Sequence, residues 1–426
     1  MFRPLPKPIA ILLVALVIVR VASVTRSATE RTRGDFYASM PGAYVETLNP
    51  QLWNSPDMTG AWGYHKYTYF HGPIQYLTLY PLALFDTFAQ IAAVLLPIYA
   101  LLLAITFWIM WRIARRLGAG GDFLVPLLAS TFLFFPLLQA YGQREFEVVV
   151  TFALAAAMLS LLSDRRSLAA ALLAYAAWFK YIPLMFIGYL GLRRWWRAAA
   201  VFGVVSAVVL VATEWLFGLS RFFNNNVPGH AAQVFVLWGH DFKYDATGHL
   251  YGTGFCEGWF DNESTLSNLR HGLCTFAAAH RWVHPPLIYL SICVAVAVVY
   301  LATHFRLERS PLSADAEARR RALEVSIITT ISACFFFSHY YYLILLVIPF
   351  NVLFTLFWVD RRQRALLVWA VAYFFVSAFV VPITLLNRIA GFDVWEPYIW
   401  QGWFWYGEVL LVGLLMNEYR RLPAAA

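Results

Sequence analysis

The chain has 426 residues, of which 61% are hydrophobic, 18% aromatic and only 13% charged. A soluble domain carries roughly a quarter charged residues, so a chain this long and this apolar cannot fold around one aqueous core. The formal net charge is +8, but the arginines sit in short clusters between apolar runs, a pattern of membrane topology rather than of nucleic-acid binding.

Each long apolar run can cross about 30 Å of hydrocarbon, and the bilayer forces its backbone into a helix. The first span is Pro8 to Val24, preceded by Arg3 and Lys7. A signal peptide has the same pattern; an uncleaved helix is expected, and the sidedness downstream is the same either way. A polar, aromatic-rich loop over residues 25–87 follows, and its stretch HGPIQYLTLYPLALF suits a helix lying in the membrane interface. Phe88 to Trp111 is the second span and RIARRLGAGG a basic turn. Span three is Phe123 to Gln139, YGQREFE is a polar turn, and span four is Val148 to Leu162, ending in SDRRS.

The next apolar run, LAAALLAYAAWFKYIPLMFIGYLGL, has arginines at both ends. As one crossing it would put basic clusters on both faces. Proline removes an N–H and disfavours helix at the residue before it, and a lysine in an apolar run needs polar company. The run is therefore expected to break at Lys180 and Pro183 and return to its starting side. The remaining runs then alternate in register: Ala198 to Leu219, Pro285 to His304, Ala322 to Ser338, Leu343 to Trp358, Ala365 to Leu386 and Gln401 to Met416. Every dense arginine cluster falls on the cytoplasmic face. The long loops, including residues 220–284, fall on the other. The expectation is all-α: one polytopic membrane domain over residues 1–426, with about ten transmembrane helices, a short re-entrant helix pair and juxtamembrane helices in the outer loops.

Cys293 and Cys334 lie in apolar runs and read as packing residues. Cys256 and Cys274 share an outer loop, where either a disulfide or two free thiols would fit. No H-E-x-x-H or C-x-x-C spacing occurs, so no metal is expected, and neither a P-loop nor a dinucleotide fingerprint is present.

Five groups of residues can carry chemistry. Asp35 and Tyr37 in GDFY lie about ten residues past a membrane exit, where a partly desolvated carboxylate can take a proton from an attacking hydroxyl. Lys180 in WFKYIP can meet a phosphate as a point charge. In YGQREFE, Tyr141, Gln143, Arg144 and Glu145 are placed to contact a sugar or phosphate. Asn262 and Arg270, in GWFDNESTLSNLRHG, can hold sugar hydroxyls and a phosphate. His339 in SHYYY, at a span end, can donate to phosphate or acceptor. Each has a plainer reading as a helix cap, a snorkelling lysine, a solvated turn or an aromatic belt.

Their order is more specific than any one of them. GDFY after span one, a Tyr/Pro-rich juxtamembrane stretch, GQ between spans three and four, K-x-x-P in a short helix pair, N-E-S with a following arginine and S-H-Y at a span end occur in succession. This succession, from Pro8 to Phe350, resembles the GT-C membrane glycosyltransferases and most closely glycosyltransferase family 87, which includes polyprenol-phosphate-mannose-dependent α-mannosyltransferases and arabinofuranosyltransferases. The resemblance implies an enzyme without a cofactor, in the cell membrane. It would move a sugar, mannose by default, from a polyprenyl-phosphate donor to a glycolipid or envelope-glycan acceptor outside the cytoplasm. It implies Asp35 as base and matches Lys180, Gln143 and His339 to family positions. Two departures bear on donor or acceptor type: Arg144 stands where the family often has Asn after GQ, and His71-Gly72-Pro73 replaces consecutive prolines. One carboxylate base with a phosphate leaving group suits a direct, inverting displacement. The competing expectation is a transporter or lipid flippase, since broken helices with an intramembrane cation also suit a carried anion; no related halves are visible to support it.

Overall fold

The computed structural model describes residues 5–30, 74, 77–78, 81–82, 85, 88–180, 182–217, 240–244, 250–254, 285–309, 312–335, 340–377, 383–391 and 403–422. Within these the protein is a helical membrane protein, with one antiparallel hairpin of two short strands, β1 (His240–Tyr244) and β2 (Leu250–Gly254), in register His240 to Gly254. Among the described residues, four helical stretches are long and apolar enough to cross a bilayer: Lys7–Thr29, Gln90–Arg116, Trp196–Thr213 and Ser291–Glu308. A fifth arises if the pair Gly121–Phe132 and Phe135–Gln143 is one broken span, and four further apolar helices are shorter, at 10–17 residues. The chain packs as two compact units.

One unit comprises residues 7–112 and 137–230. Its helices are α1 (Lys7–Glu30), most of α2 (Phe88–Arg116), the end of α4 (Phe135–Gln143), α5 (Glu147–Leu162), α6 (Arg166–Lys180), α7 (Phe186–Leu192) and α8 (Trp196–Phe217). Ile11, Leu12, Ile18 and Val19 of α1 and Val204, Val208 and Val211 of α8 are each at least 60% exposed. Surfaces that apolar belong against lipid. The core is small-residue packing: Ala155, Ala157, Ala169, Ala170, Leu173, Ala174 and Ala177 are fully buried where α5, α6 and α8 meet. Small side chains let membrane helices approach closely.

The break in the fifth apolar run is real. α6 ends at Lys180, a 3-10 turn covers Ile182–Met185, and the short α7 follows. The Arg166 guanidinium, at the start of α6, lies 4.7 Å from the ring centroid of Trp195, just beyond α7, and Arg193 lies 4.9 Å from the same ring. The segment therefore returns to where it began. The arginines that flank this run gather at one end of the unit, and Lys180 stands about 21 Å away along α6.

The other unit, residues 1–6, 113–136 and 231–426, holds α3 (Leu124–Phe132), α9 (Pro285–Glu308), α10 (Ala314–Phe335), α11 (Val347–Val359), α12 (Gln363–Val376), α13 (Ile383–Ala390) and α14 (Trp403–Arg420). α10 starts at Ala314, eight residues before the apolar run expected to begin at Ala322. Ser313 Oγ caps it by accepting from Ala316 N–H at 3.2 Å, Asp315 and Glu317 sit in its first turn, and Arg321 pairs with Glu317 at i,i+4. Apolar length did not register these local helix signals. The third apolar run is also broken, at Leu133–Phe134 before Pro136. There Ser377 Oγ accepts from Phe135 N–H at 2.6 Å and donates to Leu133 O at 3.1 Å, satisfying groups the break exposes.

Candidate active site

Of the candidate residues, Asp35, Tyr37, Asn262, Arg270 and His339 lie outside the described residues, as do Cys256 and Cys274; for Lys180 the backbone alone is described. Tyr141, Gln143 and Arg144 are placed, and with Glu145 and Glu147 they form a polar cluster at the end of the unit of residues 7–112 and 137–230 opposite Arg166 and Arg193.

The cluster is built around the turn from α4 to α5. Glu145 N–H reaches Ala140 O at 2.8 Å and Arg144 N–H reaches Tyr141 O at 3.2 Å, with Arg144 left-handed at φ 59°. This is a Schellman stop, usually completed by Gly or Asn. The same stop, with a charged residue at the left-handed position, recurs at Asp164, Arg194 and Arg361, so the geometry at Arg144 is this protein's way of ending helices. What differs is burial. Arg144 is 3% exposed, whereas the other three are exposed. Its Nη2 donates to Ala28 O of α1. Tyr141, also buried, bonds through its hydroxyl to Thr25 Oγ1 at 3.2 Å. Gly142 permits this contact with α1, because a Cβ there would stand 3.0 Å from Val24 Cγ1.

Glu145 and Glu147 are each 1% exposed. Carboxylates that deep need cationic or hydrogen-bonded company. Phe146, between them, packs on Phe179 at 5.8 Å, so the residue before Lys180 sits against the turn. Phe179 in turn packs on Tyr175 at 5.8 Å, and the Tyr175 hydroxyl meets Thr78 Oγ1 at 3.0 Å. Thr78 belongs to the Tyr/Pro-rich stretch expected to be an interfacial helix, and its Oγ1 also donates to Ile74 O at 2.8 Å in a helical i−4 bond. Buried Tyr99 of α2 lies within electrostatic range of Glu145, Glu147 and Tyr175. Buried Arg20 of α1 adds a further cation to this unit.

Three sequence motifs thus converge: the GQ turn, the K-x-x-P break and the juxtamembrane Tyr/Pro stretch. Sequence reasoning named Tyr141, Gln143, Arg144 and Glu145 here, but not Tyr99, Thr25, Tyr175 or Thr78. Thr25, Tyr99 and Tyr175 sit in or beside apolar runs with no local motif, and Thr78 is one hydroxyl within the Tyr/Pro-rich stretch. A hydroxyl spaced along a helix reveals itself only when its partner is known.

A search of curated proteins returns no match for this chain. The model of glycosyltransferase family 87 matches residues 69–338, well over half of the chain and including the GQ turn, the K-x-x-P break and Arg270. The chain belongs to glycosyltransferase family 87 and is a membrane glycosyltransferase.

Proposed function

We propose that this protein transfers a sugar, mannose first among candidates, from a polyprenyl-phosphate donor to a lipid-linked or envelope-glycan acceptor on the non-cytoplasmic side of the cell membrane. The observation that carries the reading is the packing of Phe179 on Phe146, which brings the helix break at Lys180 against the turn holding Gln143, Glu145 and Glu147. That polar place lies at a helix-bundle end, where a lipid-borne phosphate and an aqueous acceptor can meet. The arginine clusters at the opposite end favour placing it outside the cytoplasm.

In the reaction an acceptor hydroxyl oxygen attacks the anomeric carbon, its proton passes to the Asp35 carboxylate, and the carbon–oxygen bond to phosphate breaks. Polyprenyl phosphate then leaves with the bond pair. Lys180, Arg270 and His339 offset the charge growing on that phosphate. Gln143, Asn262 and Tyr37 face the sugar and acceptor. Tyr141 and Arg144, buried and bonded to α1, hold the turn in place.

The test is incubation of purified protein with polyprenyl-phosphate mannose or nucleotide mannose and a membrane lipid extract, with products read by mass spectrometry. A hexose added to a lipid-linked acceptor from the polyprenyl donor alone supports the reading. Transfer from the nucleotide sugar alone, or movement of the donor across proteoliposomes without a new glycosidic bond, overturns it.

A further inference from the structure

The unit that does not contain the polar cluster carries a cavity of about 110 Å³ where the first turns of α10 meet the ends of α11 and α14. Its floor is apolar: Leu323, Leu356 and Leu422 line it and all three are buried. Its rim is ionic, with Arg319, Arg362 and Arg421 against Asp360 and Glu418, leaving one positive charge in excess.

The carboxylates fix two of the guanidiniums. Asp360 accepts from both Nη1 and Nη2 of Arg319 at 2.8 Å, which occupies two of that side chain's five N–H donors. Glu418 accepts from Arg362 Nη1, and the Arg362 guanidinium also lies 5.3 Å from the Phe357 ring centroid. Arg421, just past the end of α14, has no ion pair among the described residues and is exposed. Two guanidiniums held in place with donors to spare, a third that is uncompensated and a leucine floor suit an amphiphilic anion. Exposed Arg361, Arg364 and Arg420 neighbour the rim in sequence and extend its positive field. Basic pockets between membrane helices hold phosphate headgroups by this chemistry.

We propose that this cavity binds a phosphate-bearing anion, with Arg421 and Arg319 as its principal donors and the three leucines covering the first carbons of an attached lipid. The site is separate from sugar transfer and does not rest on the donor assigned above.

The experiment uses the full chain in neutral detergent. Native mass spectrometry records retention of phosphatidylglycerol against phosphatidylcholine for wild type, Arg421→Gln and Arg421→Glu. Inorganic phosphate is then titrated as competitor. Wild type is expected to keep one phosphatidylglycerol, and charge reversal at Arg421 to weaken retention roughly tenfold or more. Arg421→Gln, a milder change at an exposed position, is expected to fall between. Retention of lipid assigns the phosphate to a headgroup. Phosphate binding that saturates and weakens in Arg421→Glu, with no lipid retained, supports the same site with solution phosphate as its source. Equal behaviour of wild type and both variants toward both probes, or no binding of either, overturns the proposal. Unfolding temperatures of the variants within a degree or so of wild type establish that the fold is intact.

Discussion

Helix ends built with a charged residue at the left-handed position allow a paired test of what holds the polar turn. Arg144 and Arg194 have φ of 59° and 54° in the same hydrogen-bonded stop. An L-residue there costs about 1–2 kcal/mol. Glycine removes that strain but adds about 0.4–1 kcal/mol of unfolded-state entropy. Arg194 is exposed, and its side chain makes no bond among the described residues, so Arg194→Gly is expected to stabilise by about 0.5–1 kcal/mol. At Arg144 the same relief is set against a lost charged hydrogen bond to Ala28 O, about 1.5–3 kcal/mol, and against removal of a buried cation next in sequence to buried Glu145. Arg144→Gly is therefore expected to destabilise by about 1–2 kcal/mol. Thermal unfolding followed by tryptophan fluorescence in one detergent gives both values. The expected shifts are about +2 °C for Arg194→Gly and a few degrees downward for Arg144→Gly. Shifts of the same sign would refute the division between a strained connector and a buried brace.

Other consequences are equally direct. Tyr419 donates to Glu324 Oε1 at 2.6 Å, the same oxygen that accepts from Arg320 Nε at 3.0 Å, and all three residues are buried. Tyr419→Phe should lower stability by about 1–3 kcal/mol and Glu324→Ala by about 3–5 kcal/mol, an order that chemical denaturation can check. A Cβ on Gly407 would stand 2.6 Å from Val376 Cγ2 and 2.7 Å from Ala372 O, so Gly407→Ala should drive α12 and α14 apart. A loss of about 1–3 kcal/mol is expected, visible as a lower unfolding temperature. At Gly142 the obstacle is one valine methyl, so Gly142→Ala should slow transfer and Gly142→Ala with Val24→Ala should recover much of the rate.

Much of this architecture is legible in the sequence because the bilayer enforces it. Apolar length located the helices, and Lys180 with Pro183 located the break, since neither residue sits easily in an unbroken apolar helix. The arginine clusters marked a common end, seen in the packing of Arg166 and Arg193 on Trp195. Illegible were features whose cause lies far along the chain. The break at Leu133 depends on a hydroxyl at Ser377, and buried Asn351 joins Ser130 and Thr131 across more than two hundred residues. The early start of α10 is illegible for a different reason: its Ser313 cap and i,i+4 ion pairs lie in a charged segment that apolar length does not register. In the candidate site, the GQ turn was visible as polarity between two apolar runs. Its closure by α1 was not, because Thr25 and Ala28 carry no signal until Arg144 and Tyr141 are seen to reach them.

Transfer of labelled mannose from polyprenyl phosphate by purified Asp35→Asn, compared with wild type in the same preparation, bears most directly on the mechanism. Loss of transfer by roughly a hundredfold to ten-thousandfold, with donor still bound, is the expected result for removal of a general base. An undiminished rate in that variant would contradict it.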